Sequence, residues 1–454
     1  MSQLLIRNGR ILDPGRSVDL VGDVLIVDGR IAAVGPGLAS EGGESIDASG
    51  LVVCPGFVDI HTHLRDPGFE YKETIATGTQ AAARGGFTTV CCMPNTEPPI
   101  DTRATVEYVV RTAAAGGVVR VLPIGCVSRG RAGRELAELA ELAEAGCVAF
   151  SDDGAPLADG SLLRHALEYA RMGGLPVIDH CEDPEIAAGG VMHEGWVSTR
   201  LGLRGQPAAA EEAFVARDIA LVAQVGAPLH IAHVSTRSAV ELIRTAKERG
   251  LPVTAEVTPH HLTMTHRAVA FSTNGGEALP AEQVEVLCYD TNAKVNPPLR
   301  TSDDVAACIE ALREGVIDAI ATDHAPHADY EKACEFDEAA FGVSGLETAF
   351  GLAMTLVETG SLDLPTLIER FTAGPVRALG LERTVPALGS LAEGAPGDVT
   401  VLDPEAEWTV APERFASKGR NTPLAGRTLR GKVVTTVVAG SVVWAEERVE
   451  TFVK

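Results

Sequence analysis

Pro55-Gly56-Phe57-Val58-Asp59-Ile60-His61-Thr62-His63-Leu64-Arg65-Asp66-Pro67-Gly68 is the stretch on which the reading of the chain turns. The apolar run from Leu51 to Ile60 reads as a buried strand. His61 and His63 stand at its end, and side chains two apart on a strand share a face. Asp66-Pro67-Gly68 then turns the chain. Two imidazoles held in parallel on rigid backbone are half of a transition-metal site. A lone His-x-His is more often incidental, so the pair has to find partners elsewhere.

The residues on either side set the fold class. From about 55 to 375, amphipathic stretches alternate with short apolar runs. Arg134 to Ala145, Ser161 to Met172, Glu211 to Val225, Thr236 to Arg249 and Ser302 to Glu314 have helical periodicity. Between and after them stand Cys147–Phe150, Leu175–Ile178, Pro228–Ala232, Leu251–Val257 and Ile317–Ala321, which read as strands. Repeated αβ units over this length predict a parallel sheet and, by size, a (β/α)8 TIM-like barrel. An open doubly wound sheet is the alternative, but no G-x-G-x-x-G follows the first strand.

The two ends read differently. Leu4–Ile6, Asp23–Val27 and Arg30–Val34 are short apolar runs punctuated by Asn8-Gly9 and Asp28-Gly29, both hairpin signals. Asp398–Asp403 and Val433–Val438 are also strand-like, and Ala439-Gly440 punctuates them. Neither half has enough core alone, which predicts one small β-sandwich domain built from both termini. The expected division is 1–54 with 376–454 for that domain, and 55–375 for the barrel.

The chain has 454 residues, 45% hydrophobic and 22% charged, an ordinary globular composition. Its net charge of −24 argues against nucleic-acid or anionic-membrane partners. No apolar stretch reaches membrane-spanning length, and the N-terminus has no signal-peptide layout. Nine scattered cysteines without C-x-x-C suggest reduced thiols and a cytoplasmic enzyme.

Asp152-Asp153, His180, His233 and Asp323 each follow an expected strand. With His61 and His63 they place histidines or acids at five strand ends, the rim where barrel enzymes keep their chemistry. That recurrence makes an incidental pair the weaker reading. One catalytic zinc takes about three protein ligands, so four histidines and two aspartates suggest two ions with a bridging carboxylate. Imidazole with carboxylate suits Zn²⁺, with Mn²⁺, Co²⁺ and Fe²⁺ open.

The chain here resembles the amidohydrolase superfamily. Within it, His61-Thr62-His63-Leu64-Arg65-Asp66-Pro67-Gly68, Met93-Pro94-Asn95-Thr96 and Thr322-Asp323-His324-Ala325-Pro326-His327 resemble the long, bacterial class I type of dihydroorotase. The resemblance implies that His61, His63 and Asp323 hold the more buried ion, His180 and His233 the second, and Asp153 bridges them. Asp152 competes for that last role. Zn²⁺ is the implied metal, two ions per subunit with one as the alternative. Many superfamily members bridge with a carboxylated lysine, but no lysine lies between Lys72 and Lys247.

Arg65, beside the ligand pair, suits bidentate capture of a carboxylate. The resemblance adds His63, Asn95 and His327 around that carboxylate, and Asn296, Phe341 and Gly342 around the ring. It implies reversible hydrolysis of dihydroorotate to N-carbamoyl-L-aspartate in pyrimidine synthesis by metal-bound hydroxide, with Asp323 as catalytic base and acid. A homodimer, and a complex with aspartate transcarbamoylase, come with the same resemblance. The rivals are an uncharged cyclic amidase of the hydantoinase or allantoinase kind and a scaffold without catalysis. His266 to Cys288, rich in small and acidic residues, reads as a loop over the site.

Overall fold

Eight short parallel strands form a closed ring in the computed structural model, which describes residues 2–39, 42–270, 288–446 and 451–453. They are β1 (Phe57–Thr62), β2 (Phe87–Cys92), β3 (Arg120–Pro123), β4 (Phe150–Ser151), β5 (Val177–Asp179), β6 (Leu229–Ile231), β7 (Val253–Val257) and β8 (Ala319–Ile320). β1, β2 and β3 pair in parallel, as do β4 through β8. Parallel bridges from Gly125 to Phe150 and from Thr62 to His324 join the two arcs. The expected barrel is therefore the one observed, and the open sheet is excluded.

The strands are apolar on both faces because both faces are covered. Val58, Ile60, Cys91, Met93, Ile124, Ile178 and Ala321 fill the interior. Val376, Leu379, Leu381 and Leu388 pack among them. This segment closes the N-terminal end of the ring, where Thr254 Oγ1 lies 3.2 Å from the Ala378 carbonyl oxygen. The chemistry is left to the opposite rim.

Helices α1 (Ile75–Arg84), α2 (Arg103–Gly116), α3 (Leu139–Ala145), α4 (Gly160–Gly173), α5 (Ala209–Val225), α6 (Arg237–Glu248) and α7 (Ser302–Glu314) surround the ring. Thr74, Asp159, Thr236 and Thr301 accept from backbone amides in the first turns of α1, α4, α6 and α7, which have no partner within the helix. One expectation is corrected here. The helix expected over 134–145 begins only at Leu139. Leu136 instead bridges to Ser128, and the preceding Gly130 and Gly133 hold left-handed backbone that no helix continues.

The termini build one nine-stranded sheet, folded on itself as a β-sandwich, that includes Gln3–Asp13, Val18–Val27, Val52–Pro55, Val399–Thr409 and Thr428–Val438. Val52–Pro55 joins the halves, pairing parallel to Arg10-Ile11 and antiparallel to Val399–Leu402. Asp28-Gly29 and Ala439-Gly440 form hairpin turns with both residues left-handed. Asn8-Gly9 does not: it is a bulge within the first strand, where the register shifts between Ile6 and Gly9. Gly9 is required there because an added Cβ would lie 2.5 Å from Val53.

Candidate metal centre

Every ligand candidate sits at the C-terminal rim. His61 lies on β1 and His63 one residue past its end; Asp153 follows β4, His180 β5, His233 β6 and Asp323 β8. His233 (φ 31°) and Asp323 (φ 48°) take left-handed backbone as the chain leaves their strands. Such backbone is costly for a non-glycine residue and concentrates where function holds it. Asp59 braces the rim from below: it accepts from the amides of His61 and Thr322, each at 3.1 Å, and from the Thr322 hydroxyl at 2.5 Å. One buried carboxylate thus ties the strand of the histidine pair to the strand of Asp323.

The six side chains converge. His63 Nε2 lies 3.0 Å from Asp323 Oδ1 and 3.5 Å from Asp153 Oδ2. His61 Nε2 lies 3.4 Å from Asp153 Oδ1 and 3.6 Å from Asp323 Oδ1. His180 Nδ1 and His233 Nε2 are 2.9 Å apart, each 3.7 Å from Asp153 Oδ1. His61 Nε2 and Asp153 Oδ1 are buried with no hydrogen-bond partner. Ligand atoms of His61, His63 and Asp323 lie within 4.8 Å of one another, as do those of His61, Asp153 and His233. Two overlapping groups of nitrogen and oxygen donors, with orphaned atoms aimed between them, fit divalent cations. Asp152 turns the other way, accepting from the Val127 and Ser128 amides and the Ser128 hydroxyl.

The electrostatics follow from this crowding. Burial favours a neutral carboxyl at Asp153, but the charge of His61 and the close approach of His180 and His233 hold its pKa well below the usual range. Asp323 is likewise depressed against burial, by His61 and His63.

Arg65 lies beyond β1 rather than on it, with left-handed backbone (φ 62°), so its side chain reaches across to Pro326 O (3.4 Å) and His327. Burial lowers its pKa to about 10, and it stays charged at neutral pH. His327 Nε2 faces the Phe341 carbonyl at 2.8 Å and must donate to it. Its Nδ1, 3.4 Å from Lys72 Nζ, is then the acceptor. Burial and the nearby Arg65 and Lys72 keep this ring neutral. Asn95 Oδ1 meets His63 Nδ1 at 2.9 Å. Asn296 Nδ2 donates to Glu182 (2.7 Å) and lies 3.2 Å from His180 Nε2. Gly342 (φ 135°) admits no side chain, since a Cβ would stand 2.6 Å from that of Ala325. All the expected site residues are therefore brought to one rim.

Several neighbours were not expected. Glu256 lies under His61, Glu182 beside His180, and Arg131 donates to the backbone carbonyls of Asp152 and Asp153. A charged residue inside an apolar strand run, as at Asp59 and Glu256, was the available signal. His261 is engaged by Thr258 and the Pro297 carbonyl, and His324 by Glu73 and the Gly345 amide. Both are structural. The expected loop over the site falls mainly on 271–287, outside the described residues.

A closed barrel with histidines and aspartates gathered at its rim, carrying a sandwich made from both ends of the chain, is the architecture of the amidohydrolase class. The L-hydantoinase (dihydropyrimidinase) of Arthrobacter aurescens superposes with a TM-score of 0.84 at 26% identity, over 99% of this chain and 98% of that one. A dihydropyrimidinase from Brevibacillus agri shares the fold with a TM-score of 0.82 at 24% identity, over 99% and 97% of the two chains. Residues 50–239 match the family model described as dihydro-orotase-like. A dihydroorotase of Anaeromyxobacter dehalogenans (strain 2CP-1) is 52% identical over 98% of this chain and 99% of its own length. One from Pelotomaculum thermopropionicum is 52% identical over 97% and 98% of the two chains. The chain belongs to the dihydroorotase family.

Proposed function

We propose that the chain hydrolyses the ring amide of (S)-dihydroorotate to N-carbamoyl-L-aspartate, reversibly, as a step of pyrimidine synthesis. The observation that carries the reading is the Arg65 guanidinium standing beside His327 at the edge of a His/Asp metal centre. A hydrolytic centre needs no such cation, whereas a substrate bearing a carboxylate does.

His61, His63 and Asp323 would hold one divalent ion, His180 and His233 a second, with Asp153 between them. We take the metal as Zn²⁺, two per subunit. When bound, the ions supply Lewis-acid polarisation and lower the pKa of a water. The chain's own residues do the rest. Arg65 and Asn95 grip the ring carboxylate and set which amide bond faces the centre. Neutral His327 anchors the Phe341-Gly342 backbone against the ring. Asn296 holds His180 from outside. Asp323, kept ionised, takes the proton released on attack and delivers it to the leaving ring nitrogen.

We also expect a homodimer in the cytoplasm, able to associate with aspartate transcarbamoylase. Among the described residues no two cysteines form a disulfide, which suits a reducing compartment.

The structural likeness to L-hydantoinase keeps an uncharged cyclic-amide substrate as the second reading. Turnover of dihydroorotate, dihydrouracil and allantoin by protein of known metal content separates them. Preference for dihydroorotate is expected; preference for either uncharged ring would overturn the assignment.

A further inference from the structure

His61 belongs to both overlapping donor groups, so the geometry of the whole centre turns on one ring. Its far nitrogen, Nδ1, lies 2.5 Å from Glu256 Oε1. Glu256 Oε2 lies 3.1 Å from His230 Nε2, and His230 Nδ1 lies 2.8 Å from the Thr254 hydroxyl. His61 and His230 are 0% exposed and Glu256 1%, so no water competes for these contacts.

A carboxylate only accepts hydrogen bonds. Both rings must therefore carry hydrogen on the nitrogen facing Glu256. In the neutral form of His61, the one that binds a metal, this leaves the Nε2 lone pair facing Asp153 Oδ1 and Asp323 Oδ1, 3.4 Å and 3.6 Å away. Acceptors facing acceptors at those distances repel unless a cation, a proton or a metal ion, lies among them. Glu256 thus selects the tautomer of His61 that can hold a metal. His230, itself held by Thr254, keeps the carboxylate from swinging away.

We propose that Glu256 is a positioning residue of the metal centre: by fixing the tautomer and ring orientation of His61 it sets metal affinity, and His230 fixes Glu256 in turn. The proposal rests on the metal-centre reading above. A glutamine keeps the size of the side chain but offers one accepting oxygen where two rings donate.

The test is equilibrium binding of Zn²⁺, by competition with a chromophoric chelator, to metal-free wild type, Glu256→Gln and His230→Gln. Circular dichroism of each metal-free protein monitors folding, and Co²⁺ absorption reads ligand geometry. Removing such a partner typically costs about 10- to 100-fold in metal affinity. A loss of that size is expected for folded E256Q, with an altered Co²⁺ spectrum and a smaller loss for H230Q. Folded E256Q that binds within twofold of wild type, with an unchanged spectrum, would overturn the proposal. Should E256Q not fold, H230Q decides: an unchanged affinity and spectrum there overturns it. Wild type that binds no Zn²⁺ would instead overturn the metal-centre reading itself.

Discussion

Asp152 and Asp153 are neighbours with identical side chains and opposite surroundings. The first satisfies the backbone of the loop at Val127 and Ser128, and the second faces four histidines. Nothing in Ser151-Asp152-Asp153-Gly154 separates them; the direction in which the chain leaves β4 does. The same holds for Arg65, whose type and spacing suggested a carboxylate partner, although only its left-handed backbone brings it against His327. Two outcomes follow for single side chains. Asp323→Asn should bind substrate with little change in KM while kcat falls by on the order of 10²–10⁴-fold, the usual worth of a placed acid–base group. Arg65→Met should lower kcat/KM for dihydroorotate roughly tenfold or more, as loss of a charge-assisted bond does, while any turnover of dihydrouracil is spared. Steady-state kinetics on both substrates check the pair, and equal loss on both would remove Arg65 from carboxylate recognition.

Strands and helices were legible wherever the signal is local. α7 was read from its periodicity as Ser302 to Glu314 and is observed there, because its capping threonine and terminal glycine lie in the same short stretch. Thr301→Ala should cost about 1 kcal/mol in urea denaturation, since it removes the acceptor for the Asp304 amide. Asn8-Gly9 carries the same hairpin signal as Asp28-Gly29, yet it bulges within a strand because Val53, far along the chain, packs against it. The helix expected from Arg134 was misjudged for a like reason, with Leu136 drawn into a bridge with Ser128. Asp59 joins β1 to β8, and Asp59→Ala would strand two amides and a hydroxyl inside the protein. A loss of at least about 2 kcal/mol is expected from the same measurement.

For the molecule as a whole, the metal-free protein should be acid-sensitive in a defined window. Burial raises Glu256, but His61 and His230 outweigh it and hold its pKa at about 2 against the usual 4.5. Glu182 is likewise raised by burial, but hydrogen bonding and charge from His180 bring it to about 2 from 4.5. Depressed carboxyls contribute stability that is complete above the unfolded pKa and lost as pH falls toward the folded one. Melting temperatures of the chelated protein should therefore decline steeply as pH drops from about 4.5 toward 2. Glu256→Gln should flatten that decline, and an unchanged slope would show that the pairing contributes little.

Local order in the chain was enough for the class of the molecule. Period two and period 3.6 in the apolar residues, with turn chemistry between them, dictate strands and helices from neighbours alone. That order predicts the barrel, the split sandwich and a rim of histidines and aspartates. Tertiary structure decided what each rim residue faces. His61 meets Glu256 across 195 positions and Asp59 meets Thr322 across 263. Such contacts leave no periodic trace, because a single buried acid is specified by the packing of distant strands and not by its neighbours in sequence. The histidine pair after Ile60 could therefore announce a metal centre, while the carboxylate that orients its first ring emerged only once the barrel had closed.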